Sequence, residues 1–203
     1  MKIHMVEQGS DAWKSLRVGR MTGSNASAIA TGGKGLETYI WKIMSDLHAT
    51  EQVEVDSYTN AHMERGTRLE PQARSLYELL YNVKVDQVGF IEDESGFWGT
   101  SPDGLISDDT LIEIKCHDNP QHFKLLVRGA EAIDPSYIWQ IQMNLLITRR
   151  KIAKYIAFNP NFKQSLLVFD VLPDPIAFEK LEAGLAKGTE LIKSITSQLQ
   201  NHE

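Results

Sequence analysis

Residues 101–116 read Ser101-Pro102-Asp103-Gly104-Leu105-Ile106-Ser107-Asp108-Asp109-Thr110-Leu111-Ile112-Glu113-Ile114-Lys115-Cys116. Leu111 to Cys116 has the period of a strand, in which alternate residues share a face. Glu113 and Lys115 therefore point one way, and Ile112 and Ile114 point the other way, into a core. Two charges flanking an isoleucine in an apolar strand are unusual, because burying each unpaired costs roughly several kcal/mol. A metal ion with a bound anion would compensate. Nine residues separate Asp103 from Glu113. A turn at Ser107-Asp108-Asp109 folds the earlier strand back and places Asp103 opposite Glu113. Two carboxylates so placed suit Mg²⁺, which takes oxygen ligands. Such a metal polarises a phosphodiester and acidifies a bound water. Lys115 would orient that water or offset charge developing on the phosphorus. The spacing alone is equally that of a surface hairpin with a solvated Glu–Lys pair.

Working outward, the period of two extends to a strand over Phe97 to Ile106, interrupted at Pro102-Asp103-Gly104, and to a strand about Val83, Val85 and Val88. Lys151 to Asn159 and Ser165 to Leu172 read as paired strands joined through Asn159-Pro160-Asn161. The N-terminal third reads as helical, over 11–18, 24–30 and 36–48; Leu36, Ile40, Ile43, Met44 and Leu47 share one face of the last. Residues 59–81 keep helical spacing, with Pro71 expected to kink the run or to open its second half. Helices follow at about 121–128 and 135–148. Pro175 to about Gln200 is a long amphipathic helix striped by Phe178, Leu181, Leu185, Ile192, Ile195 and Leu199. Helices, a sheet and helices again predict an α/β fold with a central mixed β-sheet flanked by helices. At 203 residues, one domain spanning 1–203 is expected.

Cys116 is the single cysteine, so neither an internal disulfide nor a CxxC zinc pair is available, and a reducing cytoplasm fits. The spacing around Cys116 gives it no histidine partner for nucleophilic work. No apolar run is long enough to span a membrane. The net charge of −6 weighs against a nucleic-acid partner. The basic residues are grouped, however: Arg17 and Arg20; Arg65, Arg68 and Arg74; Arg149, Arg150, Lys151 and Lys154. A basic channel on an acidic body is compatible with both facts. Thr31-Gly32-Gly33-Lys34-Gly35 lacks the form of a phosphate loop and reads as a plain connection.

Further motifs stand in order along the chain: Glu7-Gln8-Gly9, Asp11-Ala12-Trp13, Leu16-Arg17, Thr22-Gly23-Ser24, Gly66 with Glu70 and Ala73-Arg74, Glu131-Ala132-Ile133, and Tyr137 with Gln140 and Gln142. Together with Asp103 and Glu113-Ile114-Lys115, they resemble the PD-(D/E)xK nuclease superfamily. Within it they resemble the phage lambda exonuclease and YqaJ-type viral recombinase family. The resemblance spans roughly residues 7 to 160.

It implies a restriction-endonuclease-like core. It also implies a Mg²⁺-dependent enzyme that digests one strand of linear duplex DNA 5′-to-3′, releasing mononucleotides and leaving a 3′ single strand for recombination by annealing. Two Mg²⁺ per site are implied, with Mn²⁺ able to substitute. Carried over by position, Asp103 and Glu113 hold metal with the Ile114 carbonyl, Glu70 and Gln140 are outer ligands, and Lys115 is the catalytic lysine. Arg17, Ser24 and Ser101 match residues that hold the terminal 5′-phosphate, a role suited to charge-assisted bonds. Met63 matches an apolar wedge that parts the end base pair. The family further implies a homotrimeric ring around double-stranded DNA ends, a single-strand annealing protein as partner, no membrane, and work in the host bacterial cytoplasm.

The chain departs from the family after Lys115. The phosphate pocket of the family includes a further arginine there, whereas this chain reads His117-Asp118-Asn119-Pro120-Gln121-His122. Gln121, His122 or Lys124 are the candidates to replace it. Two other readings remain: an endonuclease or junction resolvase on the same core, and a non-catalytic DNA-binding or annealing module.

Overall fold

The computed structural model describes residues 1–50 and 60–201, with side chains from 64 onward in the second span. The sheet that carries residues 101–116 has four strands in the order β5-β6-β7-β8. These are β5 (Gly104–Ile106), β6 (Thr110–Lys115), β7 (Ile152–Phe158) and β8 (Leu166–Val171). β5 and β6 form the expected hairpin, with Ile106 paired to Thr110 across residues 107–109. β6 runs parallel to β7, and β7 antiparallel to β8, so the sheet is mixed. Parallel strands need a crossover. Here it is made by α5 (Asn119–Arg128) and α6 (Pro135–Thr148).

The Phe97–Ile106 strand is in fact two. β4 (Trp98–Thr100) belongs to a second mixed sheet of order β1-β3-β4-β2, with β1 at Lys2–His4, β2 at Met21–Thr22 and β3 at Phe90–Glu92. The chain changes sheets at Ser101-Pro102-Asp103, where Pro102 has no N–H to give a ladder. The single central sheet of the sequence reading is therefore two. Nor is there a strand over Val83–Val88. That stretch makes only an isolated bridge, Asp86 to Leu105, while Val85 and Val88 are buried.

Both faces of β6 are covered. Ile112 and Ile114 pack with Leu69, Ala73 and Tyr77 of α4 (Asn60–Tyr81). Leu111 packs on the opposite side with Ile141 and Leu145 of α6 and Tyr155 of β7. α4 continues through Pro71 without a break in its assignment. α6 opens on Asp134, whose Oδ1 accepts from the Ser136 N–H at 2.8 Å, with Pro135 in the first turn, where a missing N–H costs nothing. This cap fixes the phase that sends Gln140 and Asn144, four residues apart, toward β6.

The N-terminal third holds α1 (Asp11–Arg17), a 3₁₀ turn over Gly23–Asn25, α2 (Ala26–Thr31) and α3 (Lys34–His48), besides the two short strands that the helical reading passed over. Gly32 and Gly33 link α2 to α3. The long helix α7 (Pro175–Gln200) lies against α2 and α3. At Gly184 a Cβ would stand 1.9 Å from the Ile29 carbonyl oxygen, so only glycine lets α2 and α7 approach this closely. Of the striped positions, Leu181, Leu185, Ile192 and Ile195 are buried, while Leu47 of α3 and Leu199 of α7 are exposed. No helix among the described residues is long and apolar enough to cross a membrane.

Candidate active site

The β5–β6 register pairs Gly104 with Ile112, which sets Asp103 opposite Glu113 as the turn length requires. The Asp103 N–H donates to the Ile112 carbonyl at 3.2 Å, and the Ile114 N–H donates to Asp103 Oδ2 at 2.6 Å. Backbone thus holds the Asp103 carboxylate, and among the described residues its Oδ1 has no hydrogen bond. Glu113 has no solvent exposure, which rules out a solvated surface pair. Its Oε1 accepts from Lys115 Nζ at 2.7 Å and from Gln140 Nε2 at 2.6 Å. Its Oε2 accepts from Asn144 Nδ2 at 3.0 Å. Asn144 is fully buried, and its own oxygen accepts from the Thr100 hydroxyl. The carboxylate draws the amide nitrogen toward itself, and the Thr100 hydroxyl satisfies the amide oxygen left behind. Glu70 reaches the same centre from α4 and is paired with Arg74, whose guanidinium also donates to the Asp103 carbonyl at 3.3 Å.

The electrostatics are those of an excess of buried negative charge. Burial, with Asp103 and Glu70 nearby, pushes Glu113 up to about 7 despite Lys115. Burial and then Asp103 push Glu70 up to about 7. Asp103 is also raised, by burial. Burial pulls the Lys115 ammonium down, but Glu113 and Asp103 outweigh it and hold the group charged well above its usual range.

Among the described residues, no three Asp, Glu, His or Cys side chains already close on one point. The donor set nevertheless fits a hard divalent cation. It offers an uncommitted Asp103 oxygen, the two Glu113 oxygens, the Glu70 carboxylate and the Gln140 amide oxygen. Ile114 lies past the last β5 pair, so that edge of its backbone faces a cavity of about 590 Å³ with Glu70, Asp103 and Tyr137. Carboxylates raised by burial and by one another are short of positive charge, and a metal would supply it.

A second cluster stands across a cavity of about 180 Å³ that both clusters line. Arg17, at the end of α1, stacks on Trp13 with 4.2 Å from guanidinium carbon to ring centre. Its Nη1 donates to Ser101 Oγ at 3.5 Å, and its Nη2 to Ser24 Oγ at 3.3 Å and Thr22 Oγ1 at 3.5 Å. Among the described residues it has no carboxylate partner. Trp13 Nε1 donates to Ser101 Oγ at 2.9 Å and to the Gly89 carbonyl at 3.0 Å. Gln8 Nε2 donates to the Pro102 carbonyl at 3.0 Å and ties down the sheet-changing turn.

Asp103, Glu113, Lys115, Glu70 and Gln140 are thus together, and Arg17, Ser24 and Ser101 are together beside them. The side chain of Met63 lies outside the described residues. None of the candidates for the absent arginine lines the small cavity. Gln121 donates to the Ala132 carbonyl, His122 is buried against the Gln164 carbonyl, and Lys124 is exposed.

The sequence reading missed Asn144, Thr100 and the Arg74 bridge. It gave no role to Gln142, which is buried and clasps the Leu172 carbonyl and the Asp174 N–H. Asn144 had one usable signal, its place one turn after Gln140 on the same face. Cys116 is half-buried, and burial pushes its thiol up to about 11, which suits no nucleophile.

Residues 12–151 match the family described as the YqaJ-like viral recombinase domain. The chain belongs to this family. No curated protein sequence matches it. Among solved structures it is similar to LHK-Exo, an alkaline exonuclease from Laribacter hongkongensis, at 25% identity and a TM-score of 0.83, covering 95% of this chain and 97% of that one. A second structure of LHK-Exo, in complex with dAMP, matches equally. A phage-related exonuclease from Haemophilus somnus shares the fold at 14% identity and a TM-score of 0.68, over 89% of this chain and 96% of that one. The family and the neighbours agree with the PD-(D/E)xK-like core that the motifs along the chain implied.

Proposed function

We propose that this chain is a Mg²⁺-dependent exonuclease that digests one strand of linear duplex DNA 5′-to-3′ to mononucleotides, leaving a 3′ single strand for annealing. The observation that carries the reading is the small cavity with two opposite linings. On one side stand Asp103, Glu113 and Lys115; on the other stand Arg17, Ser24 and Ser101. The first side has anionic groups in excess, and the second has an arginine whose hydrogen-bond partners among the described residues are hydroxyls. A strand end whose terminal phosphate meets Arg17 presents its next phosphodiester toward the acids. The similarity to LHK-Exo, an exonuclease also solved with dAMP, supports the same substrate class.

Asp103, Glu113, the Ile114 carbonyl, Glu70 and Gln140 would hold two Mg²⁺, with Mn²⁺ able to replace them. When bound, the metals polarise the scissile phosphate and acidify the attacking water. Lys115 orients that water and offsets negative charge at the phosphorus. Arg17 with Ser24 and Ser101 binds the terminal phosphate and sets which linkage is cut. Met63 is the proposed wedge. The assembly we propose is a homotrimeric ring on double-stranded DNA ends, working with a single-strand annealing protein in the cytoplasm of a bacterial host. A closed ring gathers basic side chains in its channel even at negative net charge.

The test is digestion of linear duplex carrying a 5′-phosphate, with Mg²⁺, beside a closed circular duplex. Mononucleotides should appear from the linear DNA alone and disappear with chelator and with Lys115→Ala. Nicking of the circle would favour an endonuclease or junction resolvase. DNA binding without cleavage in every condition would favour the non-catalytic module.

A further inference from the structure

Three cavities stand in series, joined by shared side chains. The widest, about 590 Å³, shares Asp103 and Lys115 with the small one. The small one shares Trp13, Arg17 and Ser24 with a third, of about 420 Å³, on the far side of Arg17. At about 180 Å³ the middle cavity lies below the range of roughly 300–1,000 Å³ usual for organic ligands. It has room for a phosphate but little for a whole nucleotide. The outer cleft is within that range.

The linings differ in charge. Glu70, Asp103, Asp118 and Asp134 face the wide cavity, against Lys115. Lys14, Arg17, Arg20 and Lys42 face the outer cleft, against Asp46. Arg20 is committed to Glu92 at 2.8 Å. Among the described residues, Lys14 and Lys42 form ion pairs only within their own helices, to Asp11 at 3.3 Å and to Asp46 at 2.8 Å, and both pairs are exposed. Such pairs are weak, so both ammonium groups are free to turn to a phosphate. In a chain of net charge −6, a cleft with this balance is a local exception. A phosphate resting at Arg17 has carboxylates behind it and cations ahead.

We propose that the cleft lined by Lys14, Arg17 and Lys42 is a second nucleotide site, which takes the deoxynucleotide lying beyond the terminal-phosphate position. This rests on the exonuclease reading above. Two sources share the chemistry: the released mononucleotide on its way out, and an unpaired 5′ extension of the strand.

The variant is Lys14→Glu with Lys42→Glu. Both positions are exposed, and an unchanged Tm checks the fold. With chelator present, dAMP titrated by calorimetry should bind the variant about tenfold more weakly than the wild type, the order expected for reversing charges that meet a phosphate. The single-turnover rate on a blunt 5′-phosphorylated duplex should stay unchanged. If the site serves release, added dAMP inhibits the wild type, and the variant escapes. If it serves an extension, the single-turnover rate on a duplex with a short 5′ overhang falls about tenfold in the variant. Equal dAMP affinity in the two proteins would overturn the proposal. So would blunt and overhanging ends slowed alike. A wild type that leaves linear duplex intact would sink the exonuclease reading instead, while the dAMP titration still decides the cleft.

Discussion

The two linings of the small cavity are built in opposite ways. The acidic side rests on a regular ladder, with Asp103 held by the Ile114 N–H and Glu113 held by three donors from β6 and α6. The arginine side rests on short pieces: the end of α1, a 3₁₀ turn and the chain between two sheets. Its contacts are 3.3–3.5 Å long. The acids are fixed before any ligand arrives, and the cost of burying them shows as raised pKa values. Arg17 has longer polar contacts and, on the proposed reading, would tighten them on a terminal phosphate. A reacting centre needs preorganisation, whereas an end-recognition site must let go after every cut.

If that contrast is right, substitutions on the two sides fail differently. Glu113→Gln keeps the side chain's shape but removes its charge. It should lower the single-turnover rate on 5′-phosphorylated duplex about 10³-fold, the order that loss of a group acting at the reacting centre produces, with duplex binding retained. A loss within a few-fold would show that the acidic side is not the reacting centre. Arg17→Ala should cost roughly 10- to 100-fold on a 5′-phosphorylated end, the worth of a charge-assisted bond. It should leave a 5′-hydroxyl end nearly unaffected, so the ratio of the two rates is the measurement. An equal loss on both ends would break the assignment of Arg17 to the terminal phosphate.

The same contrast decides how much was legible in the sequence. Period two over Leu111–Lys115 and a turn about 107–109 bring Asp103 close to Glu113 to within a residue, and the register itself comes from the structure. Long periodic helices, α3, α6 and α7, were equally plain. The second sheet was not, because β1, β2, β3 and β4 have two or three residues each, too few to show a period. The change of sheet at Pro102 looks locally like a bend within one strand. Buried polar residues escaped for a related reason. Gln142 and Asn144 are polar residues on an apolar helix, and only partners distant in sequence, Leu172 for one and Glu113 with Thr100 for the other, make burial tolerable. The arginine side was visible only through family resemblance, since its residues come from three short irregular segments.

Asn144 gives a smaller and sharper test of the acidic side. The Asn144 nitrogen faces Glu113 Oε2, and the Thr100 hydroxyl satisfies the amide oxygen and holds the side chain in place. Asn144→Leu removes the only hydrogen-bond donor Oε2 has among the described residues. Mg²⁺ binding, measured directly by calorimetry, should weaken about tenfold, as loss of a group that orients a metal ligand does. Thr100→Ser keeps the hydroxyl and should bind Mg²⁺ as the wild type does, whereas Thr100→Val should resemble Asn144→Leu. Full Mg²⁺ affinity in Asn144→Leu would mean that Glu113 is oriented by β6 alone.

The smallest effect separates charge from shape. In the folded chain Glu113 gives up its proton at about 7, against an ordinary 4.5. As pH rises from 4.5 toward 7, the unfolded chain loses this proton while the folded chain keeps it, so stability falls across that window and stays lower above it. His117 acts in the opposite sense. Burial lowers it to about 4, so its contribution grows as pH rises through the range of an ordinary histidine. The wild-type curve also carries Glu70 and Asp103, both raised by burial, so the difference between wild type and Glu113→Gln is the measurement that follows Glu113. Without metal, Glu113→Gln should gain Tm relative to wild type as pH goes from 5 to 8, by about 5 °C. Mg²⁺ should raise the wild-type Tm more at pH 8 than at pH 5.5, because the ionised acids are the form that binds it. A constant difference between the two proteins at every pH would mean that Glu113 is fully compensated by Lys115, Gln140 and Asn144, and that the acidic side has no charge left for a metal to neutralise.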